Sequence, residues 1–158
     1  FERVREALEA GAERFGFYGV QANHLHLIVE DEDKQALAKA LQDKGYTLAA
    51  HGTENHLLLI DLRPNFPDLT GKKAANWLDA AGIITNRNTV PNETRSPFQT
   101  SGVRLGTPAL TTRGLTESDM TTVADLIDRV INSAGDESTL SAIREEVKTM
   151  ASKFPMPH

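Results

Sequence analysis

The sequence predicts an α/β two-layer sandwich of the α+β type, with a small mixed or antiparallel sheet and helices mainly on one face. A near-continuous apolar run over residues 56–62 is typical of a central strand. Apolar residues recur at helical spacing over 116–131 and again over 137–152. Elements that each have one apolar side bury it against one another, so these segments favour one sheet covered by helices.

The N-terminal part is predicted to contain a helix and a strand. Residues 1–14 place apolar side chains on one helical stripe, and Asn23–Glu30 alternates as a strand does. His24 and His26 then share one face, with Cβ atoms about 7 Å apart, so both could bind one divalent metal ion. Two strand histidines without a metal are the simpler interpretation, because a site needs three or more ligands.

The rest of the chain follows the same two periodicities. A helix is expected from Asp33 to Lys44, ended by Gly45, and another from Thr70, which can cap it, to Gly82. The sheet is expected to comprise strands near 24–30, 46–50, 56–62, 83–85 and 102–106. Trp77 is predicted to be a core aromatic.

Composition limits the class of protein. The chain has 158 residues, 39% of them hydrophobic and 25% charged, as expected for one soluble domain or two small ones. Its net charge of -5 gives no general attraction to nucleic acid or to an anionic membrane. The absence of cysteine excludes disulfides and is compatible with the reducing cytoplasm, the location that we expect. No apolar run reaches the roughly 18 residues of a membrane span. Because the chain begins at Phe1, we expect a few residues to precede it.

One stretch, Ser101–Gly114, places an arginine between two glycines. On a strand, Arg104 faces opposite to Val103 and Leu105. A guanidinium held in this way can bind a carboxylate or a phosphate through two parallel hydrogen bonds. A surface arginine in a salt bridge is the simpler interpretation.

Three motifs around this stretch closely resemble the C-terminal domain of serine hydroxymethyltransferase. They are Asn86-Arg-Asn-Thr-Val-Pro91, Ser96-Pro-Phe-Gln-Thr-Ser-Gly-Val-Arg-Leu-Gly-Thr-Pro-Ala109 and Thr111-Thr-Arg-Gly114. The resemblance extends from about residue 36 to the C-terminus. It implies that Arg104 binds the substrate carboxylate and that Asn88 contacts folate. It also implies that Ser96 and Phe98 lie in the folate-side loop.

The cofactors are implied by this family only. Its members form a Schiff base between pyridoxal phosphate and a lysine, and tetrahydrofolate accepts the one-carbon unit. The motif that contains that lysine is absent from this chain. We therefore expect the chain alone to bind no cofactor and to lack the covalent chemistry.

The N-terminal segment is similar to a different family. Residues 5–42, with Gln21-Ala-Asn-His-Leu-His-Leu-Ile-Val-Glu30 at their centre, resemble the start of the repeat-associated tyrosine transposases. His24 and His26 match the metal-binding pair of that His-hydrophobic-His family, whereas neither Tyr18 nor Tyr46 matches its nucleophile. Both resemblances include the helix at 33–44, so we interpret the chain as a chimera, an artificial sequence or a remnant rearrangement. Its two parts would be a transposase-like part, 1–35, and a C-terminal domain, 36–158.

Three functions follow from these patterns. The first is a serine hydroxymethyltransferase-like C-terminal domain that is catalytically incompetent alone. The second is a small acidic protein-binding module, antitoxin-like or inhibitor-like, whose partner has a basic surface. The third is a degenerate metal-dependent single-strand nuclease.

Overall fold

The structure, a computed structural model, describes residues 15–21, 24–29, 32–49 and 57–155. The helix predicted over residues 1–14 lies outside these ranges. The chain divides into two compact units, Phe1–Glu32 and Asp33–His158. The join predicted between residues 35 and 36 stays a prediction.

The first unit contains an antiparallel hairpin. Strand β1, Phe15–Gln21, pairs with strand β2, His24–Val29, in a sheet of two strands. The strand predicted near 24–30 is confirmed. The sequence alone does not decide whether this strand joins the sheet of the later strands, and in the structure it pairs with β1. Strand β1 was not predicted from the sequence, because Gly16 and Gly19 are residues typical of turns and loops. A strand that adjoins β2 in sequence pairs with it through a short connection.

The second unit contains a four-stranded sheet in which every pair is antiparallel. Its strands are β3 (Thr47–Leu48), β4 (Leu57–Asp61), β5 (Asn86–Asn88) and β6 (Gly102–Gly106), in the spatial order β3-β4-β6-β5. The helices are α1 (Glu32–Asp43), α2 (Gly71–Ala80), α3 (Pro108–Thr112), α4 (Glu117–Asn132) and α5 (Glu137–Ser152). The predicted fold class is confirmed, and the sheet is antiparallel rather than mixed.

One face of the sheet carries the core. Leu58 lies opposite Leu105, and Ile60 lies opposite Val103, and all four side chains are buried. They join one apolar cluster with buried residues of the helices, among them Leu78, Ile127 and Ile143. Trp77 is half-buried and packs against this cluster, as predicted for a core aromatic. The opposite face of the sheet carries the alternate residues of these strands, among them Leu59 and Arg104.

The strand predicted at 83–85 is wrong, and the end of α2 explains why. The N–H of Gly82 donates to the carbonyl of Asp79 at 2.9 Å. The N–H of Ile83 donates to the carbonyl of Leu78 at 2.8 Å. Gly82 has a φ of +82°, which allows the chain to leave the helix in this way. Residues 81–83 thus complete the helix end, and the strand begins at Asn86.

Helix α3 is short and was not predicted from the sequence. The sequence feature that indicates this helix is Pro108 at the first helical position. An N–H at that position would have no partner within the helix, so its absence in proline loses no hydrogen bond. The other helices have recognisable caps: Thr70 accepts from the N–H of Lys73, and Asp136 accepts from that of Thr139. In the described ranges, no helix is both long and apolar enough to cross a membrane.

Candidate functional site

Arg104 lies in the middle of the open face of the sheet. Strand β6 is flanked by β4 and β5, and the register pairs Arg104 with Leu59 on one side and Asn86 on the other. Its neighbours Val103 and Leu105 are buried in the core, so alternation directs Arg104 to the opposite face. The facing predicted from the sequence is confirmed.

The guanidinium of Arg104 has no protein partner in the described part of the chain. The residue is exposed, and no ion pair or hydrogen bond of its side chain is formed there. The surface salt bridge that seemed the simpler interpretation is not found among these residues. A free guanidinium on a rigid central strand can bind an incoming carboxylate through two parallel hydrogen bonds.

Asn88 lies on the same open face as Arg104, on the adjacent strand. It is paired with Gly102, two residues before Arg104 in β6, so the two residues are diagonal neighbours. Such neighbours lie about 7–8 Å apart, within the reach of long side chains. The Asn88 side chain is half-buried, and its Nδ2 donates to the carbonyl of Thr89 at 2.7 Å. One ligand could therefore touch both residues.

Ser96 and Phe98 lie in the loop that connects β5 to β6. The Ser96 carbonyl accepts hydrogen bonds from the N–H groups of Gln99 and Thr100, both at 2.9 Å. Its Oγ accepts from the N–H of Phe98 at 3.3 Å. The Phe98 side chain is 77% exposed, so its ring is free to stack on another group.

Glu93 fixes the connection between the two strands that carry Arg104 and Asn88. Its carboxylate accepts hydrogen bonds from the N–H of Ser101 at 2.7 Å, the Ser101 hydroxyl at 2.8 Å and the Arg95 N–H at 3.0 Å. The N–H of Val90 donates to it at 3.5 Å. Burial alone would raise the pKa of Glu93, but these donors, from Arg95 and Ser101 above all, lower it to about 2. The carboxylate is therefore ionised at neutral pH.

Sequence reasoning missed Glu93. Ser101 is eight residues further along the chain, and no local periodicity relates the two positions. The available signal was a carboxylate in a turn that begins with Pro91, which is common in loops of every kind.

Two arginines, Arg63 outside this loop and Arg95 within it, connect the loop to the rest of the unit. Arg63 makes an ion pair with Asp61, with Nη2 at 2.7 Å from Oδ2, and also donates to the carbonyls of Pro91 and Asn92, both at 2.9 Å. Burial by itself would raise the pKa of Asp61, but the bonds from Arg63 lower it. Arg95 in turn donates to backbone carbonyls of the loop before α2. Its acceptors are Leu69, at 2.7 Å, and Pro67.

Two glycines allow helix α2 to approach the start of β6 closely. A Cβ at Gly71 would lie 2.3 Å from the carbonyl oxygen of Gly102 and 2.5 Å from the Oγ1 of Thr100. A Cβ at Gly102 would lie 2.6 Å from a methyl carbon of Val90. The first N–H groups of α2, those of Gly71 and Lys72, donate to the carbonyls of Thr100 and Gln99. The helix, loop and strand around Arg104 therefore form one tightly packed assembly.

The histidine pair stays a prediction. His24 and His26 lie in β2, paired with Gln21 and Gly19. Among the side chains that the structure describes, no group of three or more His, Asp or Glu could hold a metal ion. Both histidines belong to the first compact unit, and Arg104 belongs to the second.

Comparison with known proteins identifies relatives of this chain. A family model described as "Serine hydroxymethyltransferase" matches residues 23–127, a range that includes β2 and both of its histidines. The serine hydroxymethyltransferase of Onion yellows phytoplasma (strain OY-M) is 47% identical over 123 residues, covering 78% of this chain and 30% of the relative.

Two further relatives give the same result. The enzyme of that name from Haloquadratum walsbyi is 43% identical over 143 residues, covering 89% of this chain and 34% of the relative. That from Natronomonas pharaonis is 47% identical over 125 residues, covering 79% of this chain and 30% of the relative. The chain thus spans about a third of the length of the relatives that it matches.

Proposed function

Because the chain belongs to the serine hydroxymethyltransferase family, we propose that it is the C-terminal part of such an enzyme and that Arg104 binds the carboxylate of its amino-acid substrate. The observation that carries this proposal is the unpartnered guanidinium at the centre of the open sheet face. Asn88 and the loop with Ser96 and Phe98 lie at the same end of this face and form its folate side.

The role of Arg104 is to bind and orient. Two parallel N–H···O bonds to a carboxylate fix both the position and the plane of the ligand. Leu59, half-buried beside Arg104, adds an apolar flank. Exclusion of water from such a site strengthens the ionic bonds because the local dielectric constant falls. The hydrogen bonds of Glu93 hold β6 in place for this task.

We also propose that the chain is catalytically incompetent alone. Pyridoxal phosphate, when bound, supplies an electron sink to enzymes that use it. The described strands present no lysine on the face of Arg104, and Lys44 and Lys148 are paired with Asp125 and Glu145. The described residues therefore do not fit this cofactor, and the lysine that binds it would come from the remaining two-thirds of a full-length relative.

No observation on the described residues favours the acidic protein-binding module or the nuclease over this proposal. Both stay predictions from the sequence.

A chimeric enzyme, called the graft below, tests both proposals. In it this chain replaces the matching C-terminal part of the phytoplasma relative, and serine cleavage is measured with pyridoxal phosphate and tetrahydrofolate. We expect the graft to be active and Arg104→Lys to raise the KM for serine by roughly a hundredfold, since a lysine cannot make the two parallel bonds. Lys73→Gln, which removes an exposed cation away from this face, is the matched control and should leave the KM unchanged.

The isolated chain is assayed in parallel and should show no turnover. An unchanged KM in an active Arg104→Lys graft would contradict the carboxylate-binding role. Turnover by the isolated chain would contradict the proposed incompetence.

A further inference from the structure

A polar cleft lies at the outer edge of the sheet, between α2 and the edge strand β5. Its volume is about 440 Å³. Lys72, Asn76 and Asp79 follow one another at helical spacing along one face of α2 and form one wall. Thr85, Asn86 and Arg87 form the other wall, at and just before β5. The cleft therefore offers groups from two rigid elements to one ligand.

The cleft contains two cations and one carboxylate. In the described part of the chain, the side chains of Lys72 and Arg87 form no ion pair and no hydrogen bond. Asp79 is the carboxylate among the residues that line the cleft. The chain as a whole carries a net charge of -5, so an excess of positive charge in this cleft is a local property. Such an excess raises the local concentration of anions.

Side-chain amides and backbone groups add further hydrogen-bonding groups to the cleft. The amides of Asn76 and Asn86 can each donate to the same ligand. The edge strand also leaves outward-facing backbone groups unpaired by the sheet.

From these features we infer that the cleft between α2 and β5 binds a small multivalent oxyanion, either a phosphate ester or a polycarboxylate. The two cations would bind its charged oxygens, and Asp79 would accept a hydrogen bond from a hydroxyl or amino group of the same ligand. A volume of about 440 Å³ suits a ligand of metabolite size.

The cations of this cleft are distinct from Arg104. Arg87 is paired with Val103, whose side chain is in the core, whereas Arg104 is on the open face. Asn86, which also lines the cleft, is paired with Arg104. The two sites therefore adjoin at Asn86, and the inference goes beyond the proposed function because it concerns other charged groups.

Calorimetric titration of the 158-residue chain with pyrophosphate, and separately with citrate, tests this inference at low salt. We expect saturable binding to one site. Lys72→Gln and Arg87→Gln should each weaken that binding about tenfold, the effect of losing one hydrogen bond to a charged group. Lys73→Gln removes an equally exposed neighbouring cation that does not line the cleft, and it should change the affinity less than about twofold.

Circular dichroism verifies that each variant is folded. Because the free guanidinium of Arg104 can itself bind a carboxylate or a phosphate, the titrations are repeated with Arg104→Ala. Binding that persists in this variant and weakens with Lys72→Gln belongs to the cleft, so failure of one proposal does not imply failure of the other.

The two probes identify the ligand class. Binding of pyrophosphate but not citrate would assign the cleft to phosphate esters, and the reverse would assign it to polycarboxylates. Absence of saturable binding for both probes would overturn the inference. It would also be overturned if Lys73→Gln weakened binding as much as Lys72→Gln, since general surface charge would then be responsible.

Discussion

The carboxylate of Glu93 accepts two hydrogen bonds from Ser101, one from its backbone N–H at 2.7 Å and one from its hydroxyl at 2.8 Å. Ser101 is fully buried and immediately precedes the strand that carries Arg104. The same carboxylate accepts a hydrogen bond from the N–H of Val90, which lies two residues after Asn88. The position of both candidate site residues therefore depends on one loop carboxylate.

Replacing this carboxylate should destabilise the chain. Glu93→Gln places an amide among N–H donors that need an acceptor, so we expect the free energy of unfolding to fall by about 1–3 kcal/mol. Urea unfolding measures it. Glu145→Gln is the control: Glu145 is exposed and pairs only with Lys148 at the surface, so its loss should cost less than about 1 kcal/mol. Equal losses in the two variants would contradict the role assigned to Glu93.

The stabilisation by Glu93 should disappear in acid. Its pKa falls from the usual 4.5 to about 2 in the folded chain. A carboxyl group whose pKa is lowered by folding stabilises the fold fully above its unfolded pKa, and this contribution is lost as the pH falls through the folded value. The stability difference between the wild type and Glu93→Gln should therefore be constant above pH 5 and shrink between about pH 4.5 and pH 2. Urea unfolding across this range tests it, and a difference independent of pH would contradict it.

Gly71→Ala should disrupt the contact between α2 and the start of β6. The new methyl group would lie 2.3 Å from a backbone oxygen that cannot move without shifting β6, so we expect a loss of about 1–3 kcal/mol. Lys73→Ala, in the same helical turn but exposed, should stay within about 0.5 kcal/mol of the wild type. Thermal unfolding compares the two. If Gly71→Ala were as stable as Lys73→Ala, α2 could move away from β6 without loss of stability, and the importance of this contact would be contradicted.

Arg104→Ala should leave stability almost unchanged. The side chain is exposed and has no partner among the described residues, so its removal should alter the free energy of unfolding by no more than about 0.5 kcal/mol. This result, together with the KM effect in the graft, would distinguish a binding residue from a structural one. A loss above about 1 kcal/mol would indicate a structural contact instead.

Arg113 offers the opposite case, an arginine with a structural role. Its Nε donates to the carbonyl of Phe154 and its Nη2 to that of Ala151, both at 2.7 Å, which caps the C-terminal end of α5. We expect Arg113→Gln to cost about 1–2 kcal/mol and to speed hydrogen exchange in the last turn of α5. Lys153→Gln, an exposed cation in the same region, should do neither. If Arg113→Gln left the protection of the last turn from hydrogen exchange unchanged, the capping role of Arg113 would be contradicted.

The parts of the fold that the sequence predicted well are those that rest on a local period. The helix predicted over Glu137–Ser152 has the same bounds in the structure, and the strand at 102–106 is also where alternation placed it. The failures occurred where a neighbouring element competes for the same residues. The strand expected at 83–85 was displaced to 86–88 because the end of α2 takes residues 81–83.

For the candidate site, the sequence alone determined that Arg104 faces away from Val103 and Leu105, because alternation is a property of any strand. The tertiary structure decided what surrounds Arg104. It placed Leu59 and Asn86 on either side, left the guanidinium without a partner among the described residues, and brought Glu93 to Ser101. Those contacts join positions from separate strands and a loop, and only the path of the loops sets the distances between them.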